Sequence, residues 1–369
     1  MIIGLLKEPV YETRISLLPD AVAHLIKKGI QVIVQQDAGL LAYATNQDYS
    51  AAGASVTNRE EVLSSSDIIL VINPLEIEEI QALKSKVLIG VYQPLSKSFD
   101  LSLWAQQEIT AFSLDMLPRT TRAQSMDVLS SQANIAGYKA VLLAASTYSR
   151  YLPMFMTAAG SITPAKFLII GAGVAGLQAI ATAKRLGAVI EVFDTRPAVK
   201  EEVMSLGGKF IEVEGAADAS KAGGYAVEQT EEFLQKQKEK IASTIAKSDI
   251  VITTAQIPGK KAPLLITTEM VHSMRNGSII IDLAASTGGN SAFTKNNETV
   301  VEKGVTIIGN SNLQTSMPSD ASKLYGKNIL NFLQLIFSKE NTLNLNWDDD
   351  LVKGSCIVHN GEIVHDRLK

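Results

Sequence analysis

Residues 167–194 constrain this chain more than any other stretch. An apolar run, Phe167-Leu-Ile-Ile170, leads into Gly171, Gly173 and Gly176 in a G-x-G-x-x-G pattern. A helical stretch follows, then a second apolar run with Asp194 at its end. Gly171 permits a tight turn out of a strand, Gly173 lets the backbone approach a pyrophosphate, and Gly176 lets the helix lie close on the sheet. The helix N-terminus offers unpaired N–H groups and the positive end of its dipole to phosphates. Asp194, 18 residues beyond Gly176, is placed to accept hydrogen bonds from an adenosine ribose. Glycine spacing alone is weak, but strand, helix and acid together point to a dinucleotide. The carboxylate repels a 2′-phosphate and so favours NAD(H). Thr195 and Arg196 follow directly and join the candidate cofactor contacts; Arg196 could meet a 2′-phosphate, which leaves cofactor choice slightly open.

The chain has 369 residues, enough for roughly two domains. A net charge of -4 and the lack of a basic arm point away from nucleic acid. One cysteine, Cys356, excludes an internal disulfide and a Cys-rich metal site. The four histidines, His24, His272, His359 and His365, form no pair at metal-ligand spacing, so no metal is expected. The start, Met1-Ile-Ile-Gly-Leu-Leu-Lys-Glu-Pro9, lacks the form of a signal peptide. The uncharged run Phe167 to Ala183 has 17 residues, short of the ~20 that span a bilayer. A soluble, intracellular protein is expected.

The two halves echo each other. Lys28-Gly29 before Gln31-Val-Ile-Val-Gln35 resembles Leu186-Gly187 before Val189-Ile-Glu-Val-Phe193, and Ser66-Asp67-Ile-Ile resembles Ser248-Asp249-Ile-Val. The second half carries 24 more residues between these landmarks (182 against 158), around 210–240. Lys221-Ala-Gly-Gly-Tyr225 in that stretch has the composition of a mobile loop over a site, or of a plain surface insertion. Strand–helix alternation predicts an α/β chain of two Rossmann-like, doubly wound parallel-sheet domains linked by long helices. Strands are expected near Ile2–Leu6, Gln31–Gln35, Ile68–Ile72, Val87–Val91 and Thr110–Ser113, then near Phe167–Ile170, Val189–Phe193, Ile250–Thr253, Ser278–Asp282 and Thr306–Ile308. Linking helices are expected at Ser125–Ser149 and Ser319–Phe337. The first domain is then discontinuous, 1–125 plus 318–369, around a nucleotide-binding domain at 126–317. Asn360-Gly361 between two alternating runs predicts a C-terminal β-hairpin, lying on the body or on a neighbouring subunit. The apolar cluster Met154-Phe155-Met156 reads as core, or alternatively as a subunit interface.

Residues 118–138 concentrate polar groups. With a helix starting near Ala123, Gln124, Asp127, Ser131 and Asn134 share one face, with Ser130 beside it and Arg119 and Arg122 before it. Such a face suits a carboxamide and a ribose diol, or is a solvated face with a capping acid.

This stretch, together with Gly171–Gly176, Phe193-Asp-Thr-Arg-Pro197, Ala222-Gly-Gly-Tyr225, Ile252–Gly259 and Asp282–Asn290, resembles the NAD(H)-binding domain I of proton-translocating transhydrogenases, in the superfamily that includes alanine dehydrogenase. The resemblance covers essentially the whole chain, and Arg122-Ala-Gln-Ser-Met-Asp127 is its most specific segment. It implies that Arg119, Gln124, Asp127 and Ser130 surround the nicotinamide and its ribose, that Val174, Ala175 and Gly176 meet the pyrophosphate, and that Asp194 holds the adenosine ribose. It implies a mobile loop with Gly224 and Tyr225, and further contacts at Gln237 and, near the adenine, Gln256. Gln256 stands where the family usually has a hydrophobic residue, and Ser286 where it usually has an acid. The resemblance also implies a homodimer, an NADP(H)-binding beta subunit and a membrane-spanning subunit, with this chain peripheral on the inner face of the cytoplasmic membrane. Full-length relatives continue into membrane helices, so an end at Lys369 fits a separate alpha subunit or an isolated domain.

The dehydrogenase branch needs groups for a substrate carboxylate, an amine and water. It uses an N-terminal Arg, a Lys before Glu-Pro, a His and an Asp before Gly-Gly. This chain keeps Arg14 but has Ile72, Gln93 or Pro94, and Ser286 at the other positions. An amino-acid dehydrogenase is therefore disfavoured, and Arg14 reads as structural or a remnant. Direct hydride transfer between two nicotinamides needs no general base, so the missing groups fit a transhydrogenase. A non-catalytic NAD(H)-sensing module is the other reading.

Overall fold

The computed structural model describes residues 1–96, 100–213 and 230–369. The chain divides into two units, Met1–Gln132 with Thr315–Lys369, and Ala133–Gln314. The expected 210–240 loop lies largely outside the described residues, and Gly224 and Tyr225 lie wholly outside them.

The first unit begins with six strands, β1 (Ile2–Leu5), β2 (Gln31–Gln35), β3 (Ser55–Thr57), β4 (Ile68–Leu70), β5 (Val87–Gly90) and β6 (Thr110–Ser113). β4, β5 and β6 are buried at every position, the mark of strands covered on both faces of a parallel sheet. Short helices between them start at side-chain caps, including a Thr45–Asp48 capping box and Asn58 accepting from the Glu61 amide.

The second unit contains β7 (Phe155–Thr157), β8 (Gly160–Ile162), β9 (Lys166–Ile170), β10 (Val189–Phe193), β11 (Lys209–Phe210), β12 (Ile250–Thr253), β13 (Ile279–Asp282), β14 (Glu298–Glu302) and β15 (Val305–Gly309). Its main sheet runs β11-β10-β9-β12-β13-β15-β14 and is parallel except for β14. β7 and β8 form a separate antiparallel ribbon. Met154, Phe155 and Met156 are 65%, 45% and 75% exposed, which overturns the core reading of this cluster.

The chain ends in β16 (Cys356–His359) and β17 (Glu362–Ile363), joined through Asn360 and Gly361, both at positive φ as a type I′ turn requires. β16 adds antiparallel to β6, completing an eight-stranded sheet of order β17-β16-β6-β5-β4-β1-β2-β3. The expected hairpin is present and lies on its own unit. Cys356 is fully buried there, and burial pushes its thiol up to about 12, so it packs as an inert small side chain.

Alternate residues of each sheet feed two cores, one per face. Ile68 and Leu70 enter one cluster of the first unit and Ile69 the other; Ile250 and Ile252 enter one cluster of the second unit and Val251 the other. Each such buried side chain contributes about 1.5–3 kcal/mol relative to exposure.

Candidate functional site

The glycine-rich turn is built within the second unit. β9 lies between β10 and β12, where the strand order reverses, and the crevice beyond such carboxyl ends is where open α/β sheets bind ligands. Gly171 has φ 100°, and a Cβ there would lie 2.4 Å from Thr254 Oγ1. Thr254 follows β12 and donates its hydroxyl to the Gly171 carbonyl at 3.1 Å. At Gly176 a Cβ would lie 1.9 Å from the Gly171 oxygen, so the helix Val174–Arg185 crosses the turn at backbone contact. Gly173 differs: its φ is an ordinary −77° and a Cβ there meets nothing within 4 Å. Neither strain nor packing within the protein explains that glycine, whereas close approach of a pyrophosphate does. No side chain caps the helix at Gly173, so its first amides, on Val174, Ala175 and Gly176, face the same place. These residues fit a dinucleotide.

Asp194 follows β10 and accepts from the Ala172 amide at 2.7 Å, which ties it to the turn. Arg196 also binds it, through its own amide and through its guanidinium. Thr195 lines a pocket of about 80 Å³ with Phe193, Asp194, Pro197 and Lys200.

Two anchors that the sequence reading missed shape the neighbouring loops. Asp282, fully buried at the end of β13, accepts from the amides of Ala284, Asn290 and Ser291 and from the Thr294 hydroxyl. Asn290 brackets the loop after β12, accepting from the Ala255 amide and donating to the carbonyls of Ala255 and Pro263. An Asp at a strand end followed by Gly-Gly-Asn was the available signal. Gln256 donates to the Leu283 carbonyl at 2.9 Å, so it braces this loop. Gln237 lies mid-helix in Glu231–Ile245, buried, with no partner for its Oε1 among the described residues.

The polar segment belongs to the first unit and is not one helical face. Thr121–Met126 is a 3-10 helix, Asp127 has an extended ψ of 90°, and the α-helix starts at Val128 and runs to Thr147. Asp127 is the N-cap: its carboxylate accepts the Ser130 amide at 2.9 Å and the Ser130 hydroxyl at 2.6 Å. The expected stripe therefore breaks, since Ser131 turns to Asn328 and Asn134 to Gln178. Asn328 and Asn331 donate to the Ser125 carbonyl, and Ala123 and Met126 are buried, which leaves Arg119 and Gln124 on the exposed side. Arg122 is placed elsewhere. Its guanidinium forks onto Asp349 at 2.6 and 2.7 Å and also binds Asp350, fastening the C-terminal segment.

Arg14 is buried with both carboxylate oxygens of Glu12 on its guanidinium, at 2.7 and 2.6 Å, and Gln132 at 2.9 Å. It is not presented to a substrate carboxylate. Ile72 is buried, and its amide is held by Glu8. Ser286 is exposed and its amide is held by Ser311. No cluster of metal-ligating side chains occurs among the described residues.

Residues 4–136 match the family described as Alanine dehydrogenase/PNT, N-terminal domain, and residues 140–366 its C-terminal domain. A chain of NAD(P) transhydrogenase subunit alpha from Rhodospirillum rubrum is 45% identical over 367 residues, covering 97% of this chain and 96% of the relative. The crystal structure of a transhydrogenase from Sinorhizobium meliloti superposes with a TM-score of 0.90 at 42% identity, covering 99% of this chain and 100% of that one. An L-alanine dehydrogenase shares the fold, with a TM-score of 0.82 at 23% identity over 100% and 98% of the two chains. These matches meet the resemblance drawn from the motifs: the chain belongs to the alanine dehydrogenase/PNT family, among the relatives named as NAD(P) transhydrogenase alpha subunits.

Proposed function

We propose that this chain is the NAD(H)-binding alpha subunit of a proton-translocating NAD(P)+ transhydrogenase, acting on NADP(H) held by a partner subunit. The observation that carries the reading is Gly173, a glycine at ordinary φ whose Cβ would meet only open space beside an uncapped helix end. NADH, when bound, supplies the hydride. The amides of Val174, Ala175 and Gly176 receive its pyrophosphate, and Asp194 receives the adenosine ribose. Arg119, Gln124, Asp127 and Ser130 orient the nicotinamide and its ribose. The Ser130 hydroxyl donates to Asp127 and keeps its lone pairs for a carboxamide N–H. None of them moves a proton at the reacting carbons.

Proton movement belongs to a membrane-spanning partner; no described helix of this chain is long and apolar enough to cross a membrane. The chain is then peripheral on the cytoplasmic face. It pairs with a second copy, and the exposed Tyr151, Met154, Phe155 and Met156 beside the β7–β8 ribbon favour that face for the contact. The hairpin at the C-terminus is not the interlocking element, since β16 is consumed by its own sheet.

The test is kinetic. With an NADP(H)-binding partner present, Arg119→Ala and Gln124→Asn should slow hydride transfer more than they weaken NADH binding. Equal losses would reduce these residues to simple binding contacts. Turnover of alanine or pyruvate by the isolated chain would restore the dehydrogenase reading.

A further inference from the structure

The carboxylate of Asp194 has its four acceptor positions filled by protein donors. Oδ1 accepts the Arg196 amide at 2.8 Å and Arg196 Nε at 2.9 Å; Oδ2 accepts the Ala172 amide at 2.7 Å and Arg196 Nη2 at 2.8 Å. The side chain of Asp194 is only 6% exposed and that of Arg196 20%. Two of the four bonds come from backbone amides and define the turn between Gly171 and Gly173 and the bend after β10. The other two come from one guanidinium. A ribose 2′,3′-diol donates two hydrogens and needs two acceptors. It can take them without unmaking the turn only if the guanidinium leaves.

Beside this pair lies the pocket of about 80 Å³ lined by Asp194, Pro197, Lys200, Phe210 and Glu212. Lys200 is matched by Glu212 at 2.5 Å, as Arg196 is matched by Asp194. Two cations suited to a 2′-phosphate thus stand at the end of β10, each tied to an acid of this chain.

We propose that Arg196 is the specificity-determining residue of the adenosine-ribose site: it competes with the ribose diol for Asp194, and it becomes a 2′-phosphate ligand when Asp194 no longer holds it. This rests on the nucleotide reading given above. The competition limits affinity for NADH, and the carboxylate both repels a 2′-phosphate and keeps the guanidinium from it. Arg196 is thus the reserve half of an NADP(H) site that Asp194 holds shut.

The test uses the full chain, with NADH and NADPH titrated by their own fluorescence. Arg196→Met keeps the aliphatic stem and removes the competing donors. It should bind NADH about tenfold more tightly, the order of one charge-assisted contact. Asp194→Ser should lose NADH affinity and gain NADPH affinity by about tenfold or more, and the added Arg196→Met change should abolish that gain. Equal or weaker NADH binding by Arg196→Met, or an NADPH gain that survives in the double variant, overturns the proposal. Failure of the unaltered chain to bind NADH at all would instead sink the nucleotide reading. Thermal melting separates either result from misfolding, because Ala172 loses its partner only in the Asp194 variants.

Discussion

A Cβ on Gly137 would lie 2.1 Å from the carbonyl oxygen of Ala175. The helix Val128–Thr147 and the helix Val174–Arg185 therefore meet backbone to backbone at this point, directly beside the glycine-rich turn. Gly137→Ala must push the start of the second helix away. Overpacking of this kind costs roughly 1–3 kcal/mol. The melting temperature should fall, and NADH affinity should fall with it. Unchanged binding in a destabilised variant would show that the helix start is not the pyrophosphate site.

Gly173 and Gly176 separate binding from folding. Gly173→Ala meets no protein atom, so stability should change by less than about 0.5 kcal/mol while NADH affinity drops by about tenfold or more. Gly176→Ala drives a Cβ into the Gly171 carbonyl and should destabilise the whole unit. Calorimetry of both variants with and without NADH measures the contrast. A Gly173→Ala chain that binds normally would remove the cradle assignment.

The buried pair Glu12–Arg14 replaces a substrate contact with a structural one. Removing one partner strands a charge in the first unit, so Glu12→Ala should cost roughly 3–5 kcal/mol. Glu12→Leu combined with Arg14→Met should cost much less than that single change. Chemical denaturation of the single and double variants tests this, and additive losses would contradict it.

Glu8 makes stability depend on pH. Burial, with a smaller push from Glu12, raises its carboxyl from 4.5 to about 7, against hydrogen bonds from Ile72 and Asn73 that lower it. Tyr11, Tyr92 and Tyr325 feel its charge from neighbouring elements. Between those two values the folded chain retains a proton that the unfolded chain releases. Folding stability from this group is thus fully present below about pH 4.5 and declines as pH rises toward 7, by roughly 3 kcal/mol. Glu8→Gln lacks this titration, so the stability gap between variant and unaltered chain should shift in the variant's favour by that amount from pH 5 to 8. Parallel pH profiles would show that Glu8 stays ionised.

Much of the fold was legible because parallel, doubly covered strands are written as unbroken apolar runs. Phe167–Ile170, Ile250–Thr253 and Ile279–Asp282 are of this kind. β14 escaped, because Glu298-Thr-Val-Val-Glu302 is an exposed edge strand with a weak apolar signal. The break at Asp127 was hidden for a different reason. Helix-compatible residues continue through it, and only the Asp127–Ser130 cap and the asparagines at 328 and 331 fix where the α-helix starts. Spacing alone could not show that Arg122 pairs with Asp349, 227 positions away, or that Asn290 pins the loop at Ala255. Met154–Met156 misled because apolar composition cannot distinguish a core from an uncovered ribbon.

The central claim is that this chain positions a nicotinamide for direct transfer to a second nucleotide and handles no proton itself. The most direct measurement follows deuterium from the transferring C4 position of NADH, with the NADP(H)-binding partner and NADP+ present. The label should be recovered in NADPH with none in the solvent, and Arg119→Ala should slow its arrival without diverting it. Label washed into water, or no transfer while both nucleotides are bound, would contradict the account.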